Sequence, residues 1–580
     1  MHEYPDDERF QVVDGRIRFC GDPAERPATV AQAFLDSVAR HAGRPAIKPV
    51  NGPAVSYREL GERVERAVAV LLRHGLQAGD ALALYLPNCP EYAVFTYACA
   101  LLGARLVPVN VRYRPDELAH VLKGSRARMI VTQNTFLTNP LLARLREAAG
   151  GALPAGGAPC PTLPELRCVL SLDGGGQAGA AAAGITGNSA AEAGNREAGI
   201  VDYPASATAA PPAPPLAELA ARRRGSDALW LFWTSGTTGA PKGALLPQSA
   251  IDVIWRWTTL ADYGPDDRVL VSRPFFYIAG HFWALLGPLL HGAAVLVSDE
   301  ITPTQMQAVS ARERATVLSG NPLTLKALIE DERFDRAAFS ALRLGYFGGF
   351  AMPARDMQQI RDVLGYRSMI QTYGMTEFGG FLMSTLPGDS LEVACASCGY
   401  PFTDAELKLV DPASDAEVAP GETGMLLTRG QPLIEYVNLP QAAARSLFTD
   451  DGWYRTGDLM RRLPDGRYQF VGRAKDLIKV NGENVTAAEI EDSLMKHPAI
   501  SLVSVVGARD ARRGEVPVAF FETAGGEALD AAAIQAWCKP RMAPYKVPAR
   551  FIQVARGTWP MTTSGKIAKH ELARSHGIEQ

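Results

Sequence analysis

Trp233-Thr234-Ser235-Gly236-Thr237-Thr238-Gly239-Ala240-Pro241-Lys242-Gly243 decides how this 580-residue chain is read. The apolar run 228–233 reads as a buried strand that empties into hydroxyls, glycines and one lysine, before a helical pattern starts near Ser249. By composition this is a polyphosphate cradle. Gly236, Gly239 and Gly243 let the backbone approach an anion, Thr234, Ser235, Thr237 and Thr238 offer hydroxyl donors, and Lys242 brings a compact positive charge. Pro241 before the lysine, and the missing Gly-Lys-Ser/Thr ending, set the loop apart from a Walker A motif. A flexible Ser/Gly/Thr linker would not need Pro and Lys at those places.

Outward from the cradle, strand-like and helix-like segments alternate on both sides. Toward the N-terminus, 56–72 has apolar positions at helical spacing (Leu60, Val64, Ala67, Val70, Leu71). Strands are then expected at 81–86, 105–109 and 129–132, with helices at 91–102 and 115–122. Toward the C-terminus, strands are expected at 268–272, 293–297, 316–318, 343–347 and 369–372, again separated by helices. Such alternation predicts parallel sheets, whose ligands bind beyond the carboxyl ends of the strands. The unusual residues gather there: the cradle, 274–280, 348–353 and 373–377. Past Gly399 short strands (406–410, 425–428) take over, and a compact alternating segment follows Asp476. The stretch 174–215 is dominated by Ala, Gly and Pro with Tyr203 its only aromatic, which reads as a disordered surface insertion. Its Gly174-Gly175-Gly176 run has no strand before it and no helix after it, so it is not read as a phosphate loop.

A chain this long needs about two to four domains. Its 59 basic and 62 acidic residues give a formal net charge of -3, which argues against nucleic acid or an anionic membrane surface as the main partner. The run Arg222-Arg223-Arg224 reads as a solvated face. Residues 1–9 are acidic and lack the apolar core of a signal peptide. No later run approaches the ~18 apolar residues of an integral membrane segment, so a soluble cytoplasmic protein is expected. The eight cysteines are scattered and make no disulfide framework. Cys395 and Cys398 form a lone Cys-x-x-Cys without further ligand candidates, and buried free thiols are expected.

Five further stretches join the cradle: Gln371-Thr-Tyr-Gly-Met-Thr-Glu377, Tyr454-Arg-Thr-Gly-Asp-Leu459, Gly472-Arg-Ala-Lys-Asp476, Asn481-Gly-Glu-Asn484 and Pro560-Met-Thr-Thr-Ser-Gly-Lys566. In this order they resemble the adenylate-forming superfamily of acyl-CoA synthetases, nonribosomal peptide adenylation domains and luciferases, and the acyl-CoA synthetases most. The resemblance runs from about Ser56 to Leu572, leaving out the insertion. It implies an α/β fold: a large N-terminal domain (1–474) of two related, mostly parallel α/β sheet subdomains plus a small β-barrel-like subdomain. A small mobile α+β C-terminal domain (475–580) would follow, hinged at Lys475.

The implied activity is ATP- and Mg2+-dependent acid:CoA ligation through an acyl-adenylate, with a small-molecule carboxylic acid and CoA as co-substrates. The site must suppress repulsion between carboxylate and polyphosphate and stabilise the charge that develops, which demands cations and a metal. The resemblance gives Thr234, Ser235, Thr238 and Lys242 the phosphate-gripping role, with Gly236 and Thr237 in the same loop. Glu377 is implied as the Mg2+ ligand, with Thr238 beside it, and Thr376 lies by the α-phosphate. Tyr373 offers a flat face for adenine, which Gly348 and Gly349 let lie against the backbone, and Gln371, Thr372 and Gly374 belong to the same nucleotide motif. Asp458 would accept from the ribose hydroxyls with Arg473 nearby. Lys566 is implied as the catalytic lysine bridging carboxylate and α-phosphate, with Thr238 and Glu377 as its catalytic companions. Its setting also resembles lysines silenced by a lysine acetyltransferase and restored by a deacetylase. A homodimer is a further partner the family allows.

After the swing about Lys475, Asn481, Gly482 and Glu483 would line the pantetheine tunnel, and Lys539, Arg541 and Lys546 would either meet the CoA phosphates or form a solvated basic face. Two departures stand out. Relatives read Pro-Leu-Phe-His-x-x-Gly where this chain has Pro274-Phe-Phe-Tyr-Ile-Ala-Gly280, so Tyr277 replaces histidine beside the acyl carboxylate. Phe350 replaces the alanine of Gly-Gly-Ala-Pro. With Phe276, Trp283 and Phe378 these residues predict an apolar pocket of limited depth for an aryl or short to medium acyl acid, unless Gly379 and Gly380 open space again. The rivals are an acyl-AMP ligase that loads a carrier protein and a silent acyl-AMP or CoA binding protein.

Overall fold

The computed structural model describes residues 9–22, 25–154, 160–173, 200–234, 241–298, 302–320, 322–348, 354–430, 432–481, 483–562 and 566–580. The apolar run that opens the cradle is the strand Ala228–Thr234, buried through its middle. It lies in an eight-stranded sheet with the order Glu435–Val437, Lys242–Pro247, Ala228–Thr234, Arg105–Pro108, Ala81–Tyr85, Ala127–Thr132, Cys168–Ser171, Ile200–Asp202. From Ala228–Thr234 onward the strands pair in parallel. Their near-continuous apolar sequences follow from burial on both faces. Lys242–Pro247 was not anticipated: it folds back antiparallel on Ala228–Thr234 with Lys242 opposite Thr234, and the helical pattern starts only after it. Five of its six residues are buried, so the run shows no alternation to betray a strand.

Helices cover this sheet for readable reasons. Tyr57–Arg73 starts with a capping box, in which the Ser56 hydroxyl accepts from the Glu59 amide and the Glu59 carboxylate accepts from the Ser56 amide. Pro90–Leu102 is buried from Tyr92 onward, as expected of a helix apolar all round.

The second sheet has nine strands in the order Tyr400–Pro401, Met383–Ser384, Ser368–Tyr373, Leu344–Gly348, Val317–Leu318, Arg268–Leu270, Ala294–Val297, Pro45–Pro49, Val55–Ser56. Its centre is parallel and its ends are antiparallel. One core joins the two sheets and holds Trp230, Trp257 and Trp283, all fully buried. A four-stranded antiparallel sheet follows (Glu406–Val410, Thr423–Arg429, Tyr454–Arg462, Tyr468–Arg473). The C-terminal region has its own sheet and its own apolar cluster around Val485, Ile490, Val505 and Ile534. It touches the second sheet's helical layer at the surface. There Arg355 donates to the carbonyls of His497, at 3.2 Å, and Ile500, and Arg556 pairs with Glu330 at 2.7 Å.

Two expectations need correction. Residues 200–215 are not part of a disordered insertion. Ile200–Asp202 adds to the sheet edge beside Cys168–Ser171, and Asp202 caps the helix Tyr203–Thr208 by accepting from the Ala205 amide at 3.0 Å. The ring of Tyr203 packs 5.0 Å from Phe95. Residues 174–199 lie outside the described residues. The cysteines are free, but they are not all buried: Cys20 is exposed, and Cys89 and Cys395 are partly so. Among the described residues no helix is long and apolar enough to cross a membrane.

Candidate active site

The carboxyl ends of both sheets meet where the unusual residues were expected. At the root of the cradle, Thr234 and Lys242 face each other across the hairpin, and His120 braces the turn through the Pro241 carbonyl at 3.2 Å. Residues 235–240 lie outside the described residues, and with them Ser235, Gly236, Thr237 and Thr238. The Lys242 ammonium lies 3.6 Å from Glu377 Oε1 and 4.0 Å from the centre of the Tyr436 ring. Burial pulls its pKa down, and Glu377 opposes the pull.

Glu377 is buried at the start of the short helix Thr376–Phe378. It accepts a short hydrogen bond from the Tyr436 hydroxyl, which is 2.8 Å from that of Tyr454. Burial, then the Glu377 charge, push the Tyr436 phenol far above its ordinary range, so it stays neutral and donates. Tyr436 was not foreseen. It stands on the edge strand Glu435–Val437, 59 residues from Glu377, and nothing nearby in sequence marks it. Tyr454 opens a motif quoted above, so its signal was present without a role attached. Tyr436→Phe keeps the ring under Lys242 but removes the donor to a charged acceptor, a bond worth about 1.5–3 kcal/mol. The expected result is a ~10- to 100-fold rise in the Mg2+ concentration needed for half-maximal pyrophosphate release, read in a metal titration.

A second cluster lies beside the first. The Tyr373 hydroxyl donates to Asp458 Oδ2 at 2.6 Å, and Arg473 Nε is 2.7 Å from Asp458 Oδ1. Tyr373 therefore does more than offer a face: it orients the carboxylate, while its ring, mostly buried, tilts against Phe470. Burial raises the Asp458 pKa, against the pull of Arg473, Tyr373 and Lys566. Lys566 is exposed as a residue, with its amide donating to Thr562 Oγ1 at 3.0 Å. Desolvation, then the positive charges of Arg473, Arg273 and Lys475, pull its ammonium below the ordinary lysine range, and the Asp458 charge opposes them.

The donor set fits a nucleotide. Asp458 Oδ1 is shut off from solvent without a properly directed donor, and the Gln371 side-chain carbonyl is likewise enclosed and unpartnered among the described residues. Gly348 stands opposite Thr372 in the sheet, and a Cβ there would run into the Thr372 carbonyl and hydroxyl, so the adjacent strand alone already demands glycine. Gly349 and Phe350 lie outside the described residues.

The pocket residues divide. Phe276 is buried with its ring 4.7 Å from that of Tyr277, whose hydroxyl accepts from Asn110 Nδ2 at 3.2 Å. Trp283 stacks on Phe381 at 3.8 Å with the rings 7° from parallel, and Trp257 closes on both edge-on. Gly380, at φ +100°, opens no space: a Cβ there would lie 2.7 Å from Trp283 Nε1. Gly379 borders Val253 and Pro432. Phe378 belongs to another cluster, edge-on to Tyr454 at 6.2 Å.

In the C-terminal region, Leu477–Val480 and Glu483–Thr486 form a hairpin with Asn481 at φ 52° between them. Gly482 lies outside the described residues, but Asn-Gly is the composition such a tight turn wants. Lys546 is paired with Glu489 at 2.6 Å and Arg541 stacks on Trp537 at 4.3 Å, which favours the solvated face over phosphate contacts. Lys475 sits in the turn Ala474–Asp476 that joins the two regions.

Comparison with known proteins agrees with this geometry. Residues 34–435 match the family described as AMP-binding enzyme, and residues 489–566 match the AMP-binding enzyme C-terminal domain. A feruloyl-CoA synthase of Amycolatopsis sp is 31% identical over 535 residues, covering 91% of this chain and 95% of that protein. The mitochondrial medium-chain acyl-CoA ligase ACSF2 of Mus musculus is 30% identical over 543 residues, covering 89% and 82%. Among solved structures, the anthranilate CoA ligase AuaEII in complex with anthranoyl-AMP superposes with a TM-score of 0.79 at 22% identity, over 96% of this chain and 99% of that one. With the family model matching residues 34–435, the chain belongs to the AMP-binding enzyme family.

Proposed function

We propose that this enzyme activates an aryl or short to medium acyl acid. The chain is an AMP-forming acid:CoA ligase, using ATP, Mg2+ and CoA to make an acyl-adenylate and then the thioester, with release of pyrophosphate and AMP. What supports the site assignment is one observation: Lys242–Glu377–Tyr436 and Tyr373–Asp458–Arg473 form two bonded clusters of motif residues, and the Lys566 and Glu377 charges both act on Asp458. In this reading Lys242 and the cradle hydroxyls, including Ser235, Thr237 and Thr238, grip the polyphosphate. Asp458 takes the ribose hydroxyls, oriented by Tyr373, and Gln371, Thr372 and Gly374 flank the base. Glu377 would hold Mg2+ together with Thr238, and the ion would supply positive charge against the phosphates. Thr376 stands by the α-phosphate.

Lys566 steers the acid's carboxylate onto the α-phosphorus and stabilises the charge spread over the pentavalent centre. Phe276 and Tyr277, packed ring to ring at 4.7 Å, are assigned to the wall of the acid pocket. The relatives named above are a feruloyl and a medium-chain ligase, which fits that size range. The C-terminal region, 475–580, then pivots at Lys475, Lys566 withdraws, and the Asn481–Glu483 turn borders the path of the CoA thiol. Acetylation of Lys566 would remove its charge and stop the first half-reaction while sparing the second.

The test is pyrophosphate release against acids from acetate through octanoate to benzoates and cinnamates, with and without CoA. Turnover confined to short, medium or aryl acids, accompanied by thioester, supports the reading. Release without thioester would favour a carrier-loading enzyme, and turnover only with long-chain acids would sink the pocket assignment.

A further inference from the structure

The Tyr436 hydroxyl has one hydrogen, and Glu377 Oε1 takes it. Its contact with Tyr454, 2.8 Å between the oxygens, can then run one way only: Tyr454 donates and Tyr436 accepts. Tyr454 makes no other side-chain hydrogen bond among the described residues, so a chain of two bonds, Tyr454 to Tyr436 to Glu377, ends on the carboxylate.

Every member of the chain is held. Tyr454 is buried, opposite Thr428 in the four-stranded sheet, with its ring edge-on to Phe448 at 5.4 Å and to Phe378, the neighbour of Glu377, at 6.2 Å. Tyr436 is buried opposite Ala244 of the cradle hairpin, with the Lys242 ammonium over its ring. Desolvation, then the Glu377 charge, holds the Tyr454 phenol far above its ordinary range, so the hydroxyl keeps the proton it donates. At the far end the Tyr436 and Lys242 contacts both fall on Oε1, while Oε2 makes none among the described residues and is left for a hard cation. Other enclosed tyrosines are used differently. Tyr57 and Tyr366 donate to backbone carbonyls, of Ala293 at 2.8 Å and Leu318 at 2.9 Å, and the Tyr92 hydroxyl has no hydrogen-bond partner among the described residues. Burial alone therefore does not call for two phenols in series on a carboxylate. In such a series each bond polarises the next, so the outer hydroxyl strengthens and aims the inner one.

We propose that Tyr454 is a positioning residue for the metal: through the Tyr436 hydroxyl it holds the Glu377 carboxylate in the orientation that Mg2+ needs. The proposal deepens the assignment of Glu377 to Mg2+ and rests on it. The strand Tyr454–Arg462 thus serves both halves of the nucleotide site, acting on Glu377 from its first residue and presenting Asp458 four residues on.

The test is calorimetric titration of ATP into the full-length protein, without acid or CoA, in excess Mg2+ and again in excess EDTA. The ratio of the two dissociation constants is the gain in affinity that the metal brings. In Tyr454→Phe, which keeps both ring contacts, this gain should shrink about 3- to 10-fold, the scale of one neutral hydrogen bond, with affinity in EDTA and the melting temperature little changed. In a Tyr436→Phe background the same substitution should add nothing, because the hydroxyl it acts through is gone. Three results would each overturn the proposal: an unchanged gain in Tyr454→Phe, an equal loss of affinity in Mg2+ and in EDTA, or the same loss with and without the Tyr436 hydroxyl. A wild-type protein whose ATP affinity does not respond to Mg2+ sinks the metal assignment, and this inference with it. Acid-dependent pyrophosphate release from that protein would leave the ligase reading standing.

Discussion

Lys566→Ala is expected to lower acid-dependent pyrophosphate release by ~10²- to 10³-fold, the range for losing one preorganised group at a developing charge. Thioester formation from supplied acyl-adenylate and CoA should persist, because in the proposed reading Lys566 acts only before the C-terminal region turns. The Lys566 charge is felt by Asp458 and opposed by Arg473, Arg273 and Lys475, and in the proposed reading it adds charge where phosphate and carboxylate must meet. Desolvation and these cations pull its pKa down, which fixes the sign of a pH effect. The protonated form is the active one, so a lowered pKa makes kcat/KM of the free enzyme fall at a less alkaline pH than an ordinary lysine near 10.4 would allow. Lys566→Ala should lose that alkaline limb. A variant that loses both half-reactions equally would show that Lys566 is structural.

Glu377→Gln should be nearly as damaging, by ~10²-fold or more, for a different reason. Glu377 is the carboxylate between Lys242 at 3.6 Å and the Tyr436 hydroxyl. Gln still accepts from Tyr436 but brings no charge to Mg2+ and none to Lys242, and leaving one partner of a buried ion pair costs about 3–5 kcal/mol where relaxation cannot relieve it. The signature is a Mg2+ titration shifted to higher concentration together with a lower melting temperature. An unchanged Mg2+ dependence would remove Glu377 from the metal site.

Much of this was legible beforehand, and the reasons are local. Parallel strands buried on both faces leave continuous apolar runs, so 81–86, 228–233 and 343–347 stood out. The proposed nucleotide residues sit in short motifs, Tyr373 and Glu377 at and after the end of Ser368–Tyr373 and Asp458 inside Tyr454–Arg462, so they could be named. What escaped reading was assembled across distance. Tyr436 meets Glu377 through an edge strand that pairs with the cradle hairpin. Lys242–Pro247 hid because both its faces are covered. Ile200–Asp202 hid because Ala, Gly and Pro on either side outweighed a strand of three residues and an aspartate cap.

The seam between the C-terminal region and the second sheet's helical layer can be regarded as a joint. Arg556–Glu330 is open to water on the arginine side, and Arg355 reaches two backbone carbonyls. Exposed pairs of that kind contribute about 0–1 kcal/mol and weaken as salt rises. These contacts add little to what holds the C-terminal region on this side. In the proposed reading the charge bound beside Lys566 would then govern how long the C-terminal region stays, and pyrophosphate departure, which removes that charge, would act as the release.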